Sequence, residues 1–198
     1  MNLLSIVYIA LGYLVGSIPT GKILVKLVSN QDIQNIGSGN IGTTNVTRAL
    51  GIKWGALVYL IDAGKAWLTL FLISPILVST FESWAFLAGA LSVLFGNLFS
   101  IFLKFKGGKG VATSFGLLCF VSPLPALILL PIFYIILKFT GKVSLGSLGC
   151  ALIAVIFYWY LFGNTIGISV LCMVTLVYWA HRQNIIRLLN NTELSFKK

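Results

Sequence analysis

Three polar segments interrupt an otherwise apolar chain, and each carries residue types suited to holding an anion. The first covers residues 35–48 and reads Asn35-Ile36-Gly37-Ser38-Gly39-Asn40-Ile41-Gly42-Thr43-Thr44-Asn45-Val46-Thr47-Arg48. Gly37, Gly39 and Gly42 let successive backbone N–H groups converge on a negative ligand, while Ser38, Asn40, Thr44 and Asn45 add side-chain donors. A helix beginning after this loop would add the positive end of its dipole, and Arg48 adds a bidentate fork. The same glycines satisfy G-x-G-x-x-G, but that spacing marks a dinucleotide site only inside a βαβ unit. Apolar runs flank it here, so the dinucleotide reading is rejected and the anion-nest chemistry remains.

The second segment, residues 104–113, reads Lys104-Phe105-Lys106-Gly107-Gly108-Lys109-Gly110-Val111-Ala112-Thr113. Lys109 beside Gly107, Gly108 and Gly110 ahead of an apolar helix suits a phosphate. It is not a P-loop, because Gly110 stands where Ser or Thr would hold magnesium. The third segment, residues 181–193, carries His181, Asn184, Arg187 and Glu193. A helix here puts His181, Asn184 and Leu188 on one face. His181 is the single histidine, so a metal site of several histidines is excluded. The acidic residues are Asp32, Asp62, Glu82 and Glu193 alone, with no carboxylate pair for acid–base work and no cluster for magnesium. Asp62 and Lys65, three residues apart in an apolar run, are expected to pair, since a lone charge there is costly.

The elements that position these segments follow from composition. Of the 198 residues 58% are hydrophobic and 9% charged, with a net charge of +10; a soluble domain is about 25% charged. The chain therefore reads as an all-α integral membrane protein, one polytopic domain over residues 1–198. Residues 3–21, 83–103, 111–137, 143–163 and 165–180 carry no charge, and residues 54–80 only Asp62 and Lys65. Continuous runs near the 20 or so residues of a spanning helix predict helices rather than strands. Met1-Asn2 offers no basic region ahead of the first run, which argues for a span rather than a cleaved leader. Cys119, Cys150 and Cys172 lie singly in apolar stretches and read as small packing residues.

Of the fourteen basic residues all but Lys65 fall in four clusters: after the first run, around 104–109, at 138–142 and at the C-terminus. Placing every cluster on one face obeys the positive-inside rule. It requires a helix hairpin at Ser122-Pro123-Leu124-Pro125, with arms of about 12–14 residues, short for a bilayer. The expectation is seven transmembrane helices, N-terminus outside and C-terminus cytoplasmic, with Glu82 the main outer charge. The basic bias is thereby topological, and no aromatic–basic interleaving supports nucleic acid.

Taken together, the segments resemble the acyl-phosphate-dependent glycerol-3-phosphate acyltransferases of bacterial membranes. The resemblance rests on Gly37-Ser38-Gly39-Asn40-Ile41-Gly42 with Thr44-Asn45 and Arg48, then Phe105 through Thr113, then His181, Asn184-Ile185, Arg187-Leu188 and Glu193. Gly16-Ser17-Ile18-Pro19-Thr20-Gly21 also looks like the family's opening. Asn191 stands where the family usually has glycine; asparagine tolerates the same left-handed backbone. Asn97 and Ser100 stand where it often has histidine and proline, so no role of that histidine carries over, and Thr43 replaces a common alanine.

The resemblance implies transfer of an acyl group from acyl phosphate to the 1-hydroxyl of glycerol 3-phosphate, giving 1-acylglycerol 3-phosphate and phosphate. It implies seven helices, motifs on the cytoplasmic face of the bacterial cell membrane, no cofactor or metal, and functional linkage to an acyl-phosphate-producing enzyme. Arg48, Lys109 and His181 take the catalytic positions. Gly37, Ser38, Gly39, Asn40, Gly42, Thr44, Asn45, Gly107, Gly108, Gly110, Asn184 and Arg187 bind substrate phosphate, with Thr113 and Glu193 supporting. The proton acceptor is either His181 or a substrate phosphate oxygen, with the balance toward the latter. A transporter of a phosphorylated anion is the competing reading; no internal repeat of the kind many transporters show supports it.

Overall fold

The computed structural model describes residues 3–81 and 84–196, with the side chains of 77–81 excepted. Glu82 and Lys197, on which parts of the expected topology rest, lie outside the described residues. The described chain is helical: α1 (Leu3–Ser17), α2 (Thr20–Ser29), α3 (Thr43–Leu50), α4 (Ile52–Phe81), α5 (Ala85–Leu98), α6 (Val111–Val121), α7 (Pro123–Thr140), α8 (Val143–Ala180) and α9 (Arg182–Leu189). Among the described residues, five helical stretches are long and apolar enough to cross a membrane: Leu3–Ser29, Ile52–Ile76, Ala85–Leu103, Pro123–Thr140 and Val143–Ala180. Large apolar side chains such as Leu72, Phe139 and Leu152 are exposed, as hydrocarbon-facing helices require. The chain folds as two compact units, one up to Phe120 and one from Val121 onward.

In the first unit, α1, α4 and α5 pack through small residues, the usual way membrane helices bring backbones together. A Cβ at Gly16 of α1 would lie 2.1 Å from the Val93 carbonyl oxygen of α5, and one at Gly96 of α5 would lie 2.1 Å from Tyr13 O. Hydrogen bonds from Tyr13 Oη to Phe99 O (2.7 Å) and from Ser100 Oγ to Ser17 O (2.5 Å) close the same interface. Gly116 of α6 approaches the Ala63 carbonyl of α4 in the same way. The apolar run over residues 3–21 is not one straight helix. It breaks at Ile18-Pro19, because proline has no N–H to continue the ladder, and α2 starts at Thr20. Opposite this break Lys65 Nζ meets Asp62 Oδ1 at 2.7 Å, the expected pair within α4.

In the second unit, the chain turns at Ser122, whose backbone is extended, and α7 begins at Pro123, a favoured first helical position. The helices on either side of Ser122 are unequal in length, 11 residues in α6 and 18 in α7. They depart from the matched 12–14 expected because the glycine-rich loop delays α6 to Val111, while α7 runs on to its glycine cap at Gly141. The 38-residue α8 is two helices joined at Gly163, whose φ of 75° and ψ of −170° are not helical. The second half folds back on the first, since Tyr178 Oη donates to Leu148 O at 3.0 Å. Trp159 closes the bend through Nε1 to Asn164 Oδ1 (2.9 Å), with its indole over Gly167.

Candidate functional site

Within the first unit, the loop between α2 and α3 is built on a small apolar core. Val25, Ile33, Ile41, Val46, Val58 and Leu103 are buried together, with Ile36, Leu50 and Trp54 against them. Each such side chain contributes about 1.5–3 kcal/mol on burial, which gives a glycine-rich loop a fixed floor. Asp32 opens the loop by accepting from Gln34 N at 3.0 Å and pairing with Lys22 at 3.1 Å. The Gln34 amide and then Lys22 hold its carboxyl below the usual carboxylate range.

Asn45 organises the glycine turn. Its Oδ1 accepts from Ser38 N at 3.0 Å, and its Nδ2 donates to Ile36 O at 2.8 Å and Ile33 O at 3.3 Å. Nearly fully buried at 1% exposure, Asn45 holds the loop that sequence reasoning expected it to extend. Asn40 Oδ1 accepts from Gly42 N at 2.9 Å, turning the chain into α3. Gly37 and Gly39 have φ of 56° and 69°, a left-handed backbone that side chains other than glycine rarely accept. Ser38 is exposed, Thr44 half-buried, and Arg48 exposed in the last turn of α3. A Cβ at Gly37 would meet Asn45 Oδ1 at 2.4 Å and Arg48 Cδ at 3.8 Å, so the arginine stem passes beside the glycine turn. Loop, amide and arginine stem are therefore gathered in one place.

The second segment docks on the end of α5. Gly107 N donates to Leu98 O (3.0 Å) and Gly108 N to Asn97 O (2.8 Å). A Cβ at Gly107 would lie 2.0 Å from Asn97 O, and one at Gly108 would lie 3.0 Å from Asn97 Oδ1. Lys104 and Phe105 take left-handed backbones to make the turn, as does Gly110 at φ 78°. Lys109 thus sits one residue before Gly110, just ahead of the first turn of α6. In α6 Thr113 is buried at 1% exposure, and its Oγ1 meets no hydrogen-bond partner among the described residues. Neither does the neighbouring Ser114 Oγ.

Within the second unit, His181 joins α8 to α9. It is 3% exposed, and its Nδ1 lies 2.8 Å from Val177 O. A carbonyl only accepts, so the Nδ1 position carries the proton and the lone pair of the neutral ring is on Nε2. Glu193 binds the third segment together. Its Oε1 accepts from Ser144 Oγ (2.8 Å) and Asn184 Nδ2 (2.6 Å), and its Oε2 from Arg187 Nε (2.8 Å). Lys142 Nζ donates to the Glu193 backbone carbonyl, and Phe196 N donates to Gly141 O at 2.8 Å. Burial by itself raises the Glu193 pKa, but the hydrogen bonds from Arg187, Asn184 and Ser144 outweigh it and hold the carboxyl below its ordinary value. Asn184 Oδ1 is buried and meets no donor among the described residues. Asn191 has φ 57°, the left-handed turn that the asparagine-for-glycine exchange tolerates.

Sequence reasoning missed Ser144, Lys142 and Asn97. The first two sit at the start of an apolar run and read as topology; the last contributes through its backbone. Among the described residues no three His, Cys, Asp or Glu side chains gather as metal ligands. The first unit thus places Arg48 beside the glycine turn and Lys109 ahead of α6, and the second ties Asn184 and Arg187 to Glu193.

Comparison with known proteins agrees with that chemistry. The profile described as glycerol-3-phosphate acyltransferase matches residues 6–191. The glycerol-3-phosphate acyltransferase of Bacillus subtilis (strain 168) is 42% identical over 189 residues, 96% of each chain. Glycerol-3-phosphate acyltransferase 2 of Bacillus anthracis is 41% identical over 195 residues, 98% of each. The crystal structure of PlsY (YgiH), an integral membrane glycerol 3-phosphate acyltransferase, superposes in its glycerol 3-phosphate form with a TM-score of 0.86 at 34% identity. It covers 96% of this chain and 94% of its own.

Proposed function

The chain belongs to the glycerol-3-phosphate acyltransferase family, and from that premise we propose that it moves an acyl group from acyl phosphate to the 1-hydroxyl of glycerol 3-phosphate. The products are 1-acylglycerol 3-phosphate and inorganic phosphate. The hydroxyl oxygen attacks the acyl carbonyl carbon, a new ester C–O bond forms, and the C–O bond to phosphate breaks. The hydroxyl proton passes to a substrate phosphate oxygen. No acyl-enzyme is invoked, and the donor is already an activated anhydride.

The observation that carries this reading is the glycine loop held open by Asn45 beside Arg48. Arg48 and Lys109 neutralise phosphate charge, with the exposed Ser38 hydroxyl as an orienting donor; the Ser38, Gly39 and Gly42 amides are given to Asn45, Ile36 and Asn40, and Asn45 acts by holding that loop. Glu193 sets the orientation of Asn184 and Arg187, and the open Asn184 Oδ1 suits a glycerol hydroxyl. His181, where α8 meets α9, serves as a binding group rather than as the base. Positioning a hydroxyl at an activated carbonyl can lower the barrier by about 7–11 kcal/mol.

The same reading makes the chain a single polytopic domain with seven spans, N-terminus outside and motifs at the cytoplasmic face of a bacterial cell membrane. The long apolar helices, the break at Ser122 and the bend at Gly163 support that path. An enzyme producing acyl phosphate supplies the donor. Detergent-purified protein given both substrates should release phosphate only when both are present, without coenzyme A or acyl carrier protein. Turnover with acyl-coenzyme A and none with acyl phosphate would reject the donor. Uptake of glycerol 3-phosphate into proteoliposomes without turnover would favour the transporter.

A further inference from the structure

Polar chemistry that the proposed reaction does not use lies where α1 gives way to α2. Pro19 interrupts the helix and frees backbone carbonyls, and at membrane depth such carbonyls are tolerated only where protein satisfies them. Lys65 Nζ donates to Ile18 O at 2.8 Å and pairs with Asp62 Oδ1 at 2.7 Å. Thr20 Oγ1 donates to that same Asp62 oxygen at 2.7 Å. The Lys65 and Asp62 side chains are only 11% and 12% exposed. A pair serving mutual neutralisation alone would be complete within α4; this one reaches across to both sides of Pro19. The residue after Thr20 is Gly21, where a Cβ would lie 2.0 Å from Ile41 O and 3.1 Å from Val46 Cγ2. Ile41 ends the glycine loop, Gly42 caps α3, and Arg48 occupies the last turn of α3.

We propose that the Thr20–Asp62–Lys65 cluster is a positioning element for the anion site of the first unit. It fixes the angle at which α2 leaves the break. Through the Gly21–Ile41 contact it sets the Gly37–Gly42 turn and Arg48 against a phosphate monoester. The inference rests on the reading of that loop as a phosphate site. The test uses full-length protein in detergent, titrated with glycerol 3-phosphate and separately with inorganic phosphate by calorimetry, alongside turnover and thermal unfolding. Thr20→Val removes the hydrogen bond to Asp62 and the longer one from Lys65 Nζ (3.4 Å) while keeping the shape; Thr20→Ser keeps the hydroxyl; Thr20→Ala replaces Thr20→Val if that variant is not recovered.

Thr20→Val should weaken binding of both ligands about three- to tenfold, the range for loss of the short bond to Asp62, the 3.4 Å contact with Lys65 adding little. The KM for glycerol 3-phosphate should rise by the same factor with kcat nearly unchanged, while Thr20→Ser behaves as wild type. Unchanged binding in Thr20→Val, or equal weakening in Thr20→Ser, overturns the proposal, as does a fall in kcat at constant KM, the signature of lost folded protein alone. Failure of the wild-type protein to bind either ligand would instead sink the phosphate-site reading, and this inference with it.

Discussion

His181 and Arg48 separate proton transfer from anion binding. Arg48 passes beside the Gly37 turn, and Arg48→Ala should lower kcat/KM roughly ten- to hundredfold or more, the loss of a charged hydrogen bond. Arg48→Lys should restore little, because a point charge does not replace a fork. With the proton going to substrate phosphate, His181→Gln should raise the glycerol 3-phosphate KM and leave the shape of the pH profile of kcat unchanged. Loss of kcat by about 10²–10⁴-fold together with the acid limb would make His181 the base. Glu193 gives a stability prediction with a sign. Its folded pKa lies below the ordinary value of 4.5, so its stabilisation is fully present above that value and is lost as pH falls through the folded pKa. In thermal unfolding, Glu193→Gln should melt below wild type at neutral pH, and the two should converge under acid. A constant difference across that range would reject the assigned role. The identity of these residues was readable in the chain, but the use of Asn45 was not. An amide serves a phosphate or a backbone loop with the same atoms, and only the fold shows that Ser38, Ile36 and Ile33 take them.

At the scale of elements, close approach of backbones sets tolerance. Gly107→Ala would put a methyl 2.0 Å from the Asn97 carbonyl, whereas Gly64→Ala meets nothing within 4 Å. Activity and melting temperature should fall sharply for the first and stay near wild type for the second; equal behaviour would show that the second loop does not dock as described. The spans over α4 and α5 were legible because uncharged runs of that length have few other uses. The break at Pro19 was not, because the apolar run continues across it and hydropathy has no direction. A helix in the third segment was one way to share a face among its polar residues, and α9 forms over Arg182–Leu189. The tie from Glu193 to Ser144 was invisible, since it joins residues 49 apart that no local pattern connects.

For the whole molecule, the basic clusters and the seven-span reading predict one orientation. Cysteines introduced at Lys106, Lys142 and Lys197 should react with an impermeant reagent only from the cytoplasmic side, and one at Glu82 only from outside. Labelling of Lys142 from outside would make residues 111–137 a single span. The pair in α4 also bears on how the chain enters the bilayer. Each lone charge at mid-helix costs about 2.5–3.5 kcal/mol during insertion by the translocon. Asp62 and Lys65 are three residues apart on one helix, so they can neutralise each other as soon as that turn forms. At mid-helix α4 therefore carries no uncompensated charge of its own, and the same lysine that balances Asp62 also satisfies the carbonyl of Ile18.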